Sequence, residues 1–251
     1  MRISKRPGLL RRVVLLLALG AKLVAPAQWS HDLRLGRELT ITGIGLGLNG
    51  IGLLQSAGSH TRLVLPADPL SVNTFDRIAT RNWDQGAHRA SNVLLATATI
   101  GALSAAVVTR HGDRPLMPVA IMAESVLITN GLTNVVKELV SRPRPYVYNT
   151  AAPDEFKDTE AAYLSFWSGH AASSAAITFS CAALVQESNA SRGLKTATWI
   201  AAAVVPAVMG ALRVRAGRHY PTDVLVGYVV GAGIGVGIPY LHRSARREVP
   251  K

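Results

Sequence analysis

Val224–Leu241 reads VLVGYVVGAGIGVGIPYL, eighteen residues without one charged side chain. A helix needs about 20 mostly apolar residues to cross a hydrocarbon core, and small residues let membrane helices approach closely. Five more stretches repeat the theme. Leu39–Ser59, Ala90–Thr109, Ala171–Gln186 and Thr196–Leu212 are uncharged, and Pro115–Val136 is interrupted only by Glu124. One such run could be a buried soluble helix. Six in series, joined by short charged loops, read as an all-α, multi-pass membrane helix bundle of about five or six transmembrane helices.

Composition agrees. Of 251 residues, 49% are hydrophobic and only 17% charged, against roughly 25% charged in soluble domains, and the mean hydropathy is +0.23. A net charge of +12 invites a nucleic-acid reading. The basic residues argue against it: they gather at the two termini and in short loops between apolar runs, where headgroups and phosphate substrates are the better partners. No nucleic-acid partner is expected. Cys181, the single cysteine, excludes an intramolecular disulfide and reads as a small packed residue.

Residues 1–27 have a basic start, an apolar stretch near Val13–Ala21, and Ala25-Pro26-Ala27 before Gln28. They read as a secretory signal peptide or an uncleaved anchor. Residues 28–89 hold the Gly-rich Leu39–Ser59 run, with Gly43, Gly45, Gly47, Gly50 and Gly52, expected to be a hairpin or interfacial element. They also hold a loop from His60 to Arg89 that reads as a surface or interfacial helix, with Trp83 at headgroup level. Residues 90–242 form the rest of the helix bundle, and 243–251 a basic tail, with His242 before it taken as a solvated residue.

Three polar clusters interrupt the apolar chain, each at a helix end: Lys137–Pro145, Phe166–His170 and Arg213–Asp223. Counting crossings puts all three on one side of the membrane. Lys137, Arg144 and Arg213 supply the fixed positive charge that phosphoryl oxygens require. Ser168 can cap a helix whose free N–H groups point at an anion. His219 and Asp223, four apart, share a face if helical, and a carboxylate there can fix an imidazole tautomer. His170 is a second imidazole, able to protonate a leaving oxygen. Nucleophilic phosphoryl transfer follows naturally. Arg142, Arg215 and Arg218 read as loop charges facing headgroups, and Glu124 as either a functional group or a buried structural partner.

In these residues the chain resembles the type 2 phosphatidic acid phosphatase superfamily, with its K-x6-R-P, P-S-G-H and S-R-x5-H-x3-D motifs. Lys137, Arg144 and Pro145 match the first. Ser168, Gly169 and His170 match the second, with Trp167 in place of proline. Arg213, His219 and Asp223 match the third, with Leu212 in place of serine. The resemblance spans roughly 90–242. It implies that His219 attacks phosphorus, Asp223 orients it, and His170 serves as general acid. Lys137, Arg144, Arg213, Ser168 and the Gly169 N–H hold the phosphate. The implied partners are a phosphorylated lipid and membrane lipids. The one matched acid is Asp223, so no metal and no cofactor is expected. The competing functions are a non-catalytic lipid-binding protein and a vanadium haloperoxidase-like oxidoreductase.

Two signals bear on orientation. A cleaved leader followed by six crossings would put the motifs inside. Arg110 and Arg114, Arg192 and Lys195, and the tail from Arg243 instead mark the opposite face as cytoplasmic. An outward-facing site is therefore expected, reconciled with cleavage if Leu39–Ser59 does not cross fully.

Overall fold

The structure, a computed structural model, describes residues 29–55, 67–109 and 116–245. The leader reading of residues 1–27, the end of the Gly-rich run and Arg110 and Arg114 lie outside the described residues, as does the tail beyond 245. A short strand β1 (Trp29–His31) leads into α1 (Leu35–Gln55). Then come α2 (Gln85–Val108), α3 (Met117–Val140), the single-turn α4 (Asp154–Lys157), α5 (Gly169–Gln186), α6 (Arg192–Arg215) and α7 (Pro221–Leu241). Strand β2 (Arg243–Ala245) pairs antiparallel with β1, Trp29 opposite Ala245.

The protein is a multi-pass helical membrane bundle. Four helices, α2, α3, α6 and α7, are long and apolar enough to cross a membrane. Their exposed side chains are apolar: Val93 and Ile100 on α2, Ile200 and Val204 on α6, Leu225 and Val229 on α7. Small residues such as Ser91, Ser125, Gly227, Gly231 and Gly235 face inward. That inversion suits lipid as the solvent. At the centre stands α5, its Ala171, Ala172, Ala175, Ala176 and Ala182 all buried. The hydroxyls lodged among these helices bond back to carbonyls one turn earlier, as Thr129 to Ser125, Thr133 to Thr129 and Thr178 to Ser174, so none is stranded in the apolar interior.

The contact that fixes the site is between α5 and α7. Gly227, Gly231 and Gly235 recur every fourth residue, and a Cβ on each would meet the backbone of Ser168, Ala172 and Ala176 in turn. Glycine is needed because backbone lies against backbone. The register joins the Ser168 N–H to the Asp223 carbonyl at 3.0 Å, so two of the polar clusters are welded together at one end of the bundle.

Two expectations are corrected here. The described part of the Gly-rich run, residues 39–55, is neither hairpin nor interfacial: it lies in the continuous 21-residue helix α1. Its glycines admit α3, with Gly45 against Leu127 and Gly52 against Asn134. Contacts rise in parallel along both helices, from Thr42–Glu124 to Asn49–Asn134, so α1 runs the length of α3. His242 is not solvated but fully buried. Its Nδ1–H donates to the Ile238 carbonyl at 2.8 Å, and Nε2 lies 2.8 Å from Glu38 and 3.1 Å from Glu124. Glu124 is thereby a buried partner at the end of the bundle far from the motifs.

The loop before α2 also departs from expectation. Its described part makes two 3-10 turns, Pro69–Ser71 and Arg77–Arg81, and no interfacial helix. Trp83 packs edge-on against Tyr146 and Phe156, ring centroids 5.6 and 5.3 Å away, and so belongs to a cap over the site.

Candidate active site

The three clusters converge. Lys137 sits in the last turn of α3, and Arg144 opens a 3-10 turn at Pro145–Tyr148. Ser168 caps α5, its Oγ accepting the Ala171 N–H at 3.4 Å, with Gly169 and His170 in the first turn. A Cβ on Gly169 would stand 4.0 Å from Lys137 Nζ, so the ammonium lies over the helix N-terminus. Trp167, the departure from the family proline, donates its indole N–H to Thr133 Oγ1 at 2.8 Å, one turn before Lys137. That bond anchors the loop to α3 in the proline's place.

Arg213 lies within the last turn of α6. The chain reverses at Gly217, whose φ of +69° and close approach to the Asn82 backbone both require glycine. His219 follows in the turn and Asp223 in the first turn of α7, so the two do not share a helix. They still meet, Nδ1 lying 3.5 Å from Asp223 Oδ2. The closer partner of Nδ1 is the Ser165 carbonyl, at 2.8 Å. A carbonyl only accepts, so Nδ1 carries the hydrogen and Nε2 the lone pair. The tautomer is set by Ser165, with the carboxylate as electrostatic support.

Asp223 is otherwise fully engaged. It accepts from Arg142 Nη1 and Ser165 Oγ, both at 2.6 Å, and from the Tyr220 N–H at 3.0 Å. Arg142 also donates to Asp76 at 2.7 Å and lies 3.8 Å over the Tyr220 ring. It is a structural tie, not a loop charge facing headgroups. Asp76 accepts in addition from Thr222 Oγ1 at 2.6 Å and from the Thr222 N–H at 3.0 Å. Burial alone would raise the Asp76 pKa, but hydrogen bonds from Arg142, Thr222 and Asn73 outweigh it and hold the carboxyl below its ordinary value. Arg215 pairs with Asp84 at 2.8 Å. Arg218 lies 5.3 Å over Trp83 and 5.1 Å over Tyr146, and its Nε is buried without a hydrogen-bond partner.

Positive charge is left over. Among the described residues Lys137, Arg144 and Arg213 have no salt bridge to a carboxylate, and the Nε atoms of Arg144 and Arg213 are buried without hydrogen-bond partners. Burial first, then Arg144, Arg213, Lys137 and His170, push the His219 pKa well below its usual 6.5. The ring is a neutral base in a cationic cradle.

Some contributors carry no motif. Ser165 lies just ahead of the second cluster, and Arg142 inside the first, where its neighbours could have flagged it. Asp76, His88, Ser91 and Asn92 reach the site only through the fold.

The sequence profile of the PAP2 superfamily matches residues 118–247, just over half of the chain. The chain belongs to the PAP2 superfamily. No curated protein sequence matches it significantly. A solved structure similar to it is a transmembrane PAP2 type phosphatidylglycerolphosphate phosphatase from Bacillus subtilis. That structure is 21% identical and has a TM-score of 0.47, the match covering 78% of this chain and 94% of the other.

Proposed function

We propose that this PAP2 protein is a metal-independent phosphatase that hydrolyses a phosphate monoester or diphosphate carried on a membrane lipid. The observation that carries the reading is His219. Its Nδ1–H is committed to the Ser165 carbonyl, its Nε2 is free to attack, and unpaired cations surround it. Nε2 attacks phosphorus, and the bond to the lipid oxygen breaks. His170 gives that oxygen its proton. Lys137, Arg144, Arg213, Ser168 and the Gly169 N–H hold the phosphoryl oxygens as charge develops on them. Water, losing its proton to His170, then attacks the phosphohistidine, and phosphate leaves with His219 neutral again. The ring stays placed throughout, because Ser165 and Asp223 hold its other edge.

The test is phosphate release from a panel of lipid phosphates by detergent-purified protein in excess EDTA. Wild type turns over and is inhibited by vanadate, and a phosphohistidine accumulates on rapid acid quench. His219→Ala folds and does neither. Activity of His219→Ala near wild type, or activity that requires added Mg²⁺, refutes the reading.

The same reading places the site on the extracytoplasmic face. Arg34, Arg37, Arg192, Lys195 and Arg243 all gather at the end of the bundle opposite His219, which favours that end as cytoplasmic. Because α1 runs the full length of α3 and β1 pairs with β2, Trp29 shares the tail's side of the bundle. The basic residues at the motif end are in large part accounted for by phosphate binding and carry less topological weight, which supports the outward reading.

A further inference from the structure

Helix α2 lies outside the residues that the superfamily profile matches, yet one of its faces is turned into the site. His88, Ser91 and Asn92 stand at helical spacings of three and four and so share that face. Arg213 Nη1 lies 2.9 Å from His88 Nδ1 and donates to Ser91 Oγ at 3.1 Å. An arginine only donates, so His88 Nδ1 is the acceptor and its hydrogen sits on Nε2. One turn further along, Asn92 Oδ1 lies 2.8 Å from His170 Nε2. The carbonyl end of the amide makes His170 Nε2 the donor, which leaves Nδ1 as the edge that exchanges a proton with substrate.

This register is fixed locally. Asp84 caps α2, accepting the Ala87 N–H at 2.9 Å, and its other oxygen pairs with Arg215 at 2.8 Å. Asn82 donates to the Val214 carbonyl at 3.0 Å, and Gly217 closes on the Asn82 backbone. The start of α2 is thus clamped to the end of α6 and the turn bearing His219.

We propose that His88, with Ser91, positions the Arg213 guanidinium, and that Asn92 positions the His170 ring, so that α2 carries a fourth polar constellation of the phosphatase. The inference rests on the phosphatase reading above. Asn92 is suited to its place. It is neutral, whereas the groups facing His170 from the other elements are Lys137 on α3, Arg144 in its loop, Arg213 on α6 and His88 on α2. A carboxylate at 92 would stabilise the imidazolium and displace the proton balance of the acid.

Four variants test this by orthovanadate binding, measured calorimetrically, and by kcat and KM against pH. Losing a buried hydrogen bond to a charged group weakens binding about tenfold or more, so His88→Ala raises the vanadate Kd and KM by about that factor. His88→Asn, whose amide oxygen can stand where Nδ1 stood, recovers most of the loss. Asn92→Ala lowers kcat about tenfold at little cost in KM. Asn92→Asp moves the alkaline limb of the kcat profile up by about one pH unit. A vanadate affinity unchanged in His88→Ala, with a pH profile unmoved in Asn92→Asp, would make α2 mere scaffold and overturn the proposal. If wild type releases no phosphate from any lipid, the phosphatase reading fails, and the vanadate affinities still decide whether His88 positions Arg213. A wild type that binds no vanadate defeats both.

Discussion

Replacing Gly231 by alanine tests the packing that brings the clusters together. The new Cβ would lie 2.8 Å from the Ala172 carbonyl carbon and 2.9 Å from its Cα, with the carbonyl oxygen closer still. Carbon atoms rest at about 3.5–4.0 Å, so α7 must retreat from α5 by about 1 Å. No rotamer change relieves backbone against backbone, which puts the cost at the upper end of overpacking, about 3 kcal/mol. Alanine's better helix propensity offsets about 1 kcal/mol, leaving a net loss of about 2 kcal/mol. Gly233→Ala is the internal control: a Cβ there meets nothing within 4 Å, so it gains only the propensity, about 1 kcal/mol. The two alanines, two residues apart, should therefore differ by about 3 kcal/mol. Reversible unfolding of purified protein in mixed detergent and SDS, followed by far-UV circular dichroism, measures the difference. Activity should fall as well, because the Ser168–Asp223 backbone bond lies at the end of the same seam and misplacement by about 1 Å can cost about a hundredfold in rate. Equal stabilities for the two variants would refute close backbone packing as the device that sets the site.

Three further outcomes follow. Arg142→Ala strands Asp76 and Asp223, both buried, and should cost about 3–5 kcal/mol in the same unfolding assay; a loss below about 1 kcal/mol would show the tie to be dispensable. His219 must be neutral to attack, and its pKa lies well below 6.5, so the acid limb it causes in kcat/KM lies below that pH, activity being lost as pH falls through it. Arg144→Gln removes one of the cations that depress it and should move the limb upward; a limb that stays in place would mean that another group causes it. Single cysteines at Asp154 and Ser191, in a Cys181→Ser background, report orientation in intact cells through a membrane-impermeant thiol reagent. Labelling at 154 and protection at 191 fits an outward site, and the reverse pattern puts the site in the cytoplasm.

The helices were legible because lipid demands long uncharged runs, and the described part of each of the six runs falls on a helix. Their polar ends were not. Arg213 and Asp223 lie inside α6 and α7, immediately next to the apolar runs, because helices continue past the hydrocarbon into the site. Glycine in Leu39–Ser59 suggested a break, yet its use is steric, admitting α3 at Gly45 and Gly52. The motif residues were legible because a phosphoryl group needs cations and a nucleophile at fixed spacings. The partners that orient them were not, since local spacing says nothing of His88 meeting Arg213 across 125 residues or Arg142 meeting Asp76 across 66. His242 misled for a simpler reason. Its basic surroundings in sequence hid two glutamates from other helices.

The two ends of the bundle, compared, show why only one calls for a ligand. At the end bearing β1 and β2, buried and half-buried basic groups meet acids: His242 with Glu38 and Glu124, Arg243 and His31 with Glu187, Arg37 with Asp32 and Glu38. At the other end the acids are consumed before the cations are matched. Asp76 and Asp223 are both taken by Arg142, and Asp84 by Arg215. Among the described residues Lys137, Arg144, Arg213 and Arg218 are left to share a small volume with no salt bridge to a carboxylate. Burying like charges together is costly unless something opposite completes the set. In the proposed function a phosphate, with several negative oxygens on one centre, completes it, and does so beside the buried His219 imidazole, whose free nitrogen is Nε2. Under the proposed mechanism Arg142 would serve function by subtraction: it withdraws Asp223 from the cradle while keeping that carboxylate within 3.5 Å of His219, where it would stabilise a phosphorylated ring.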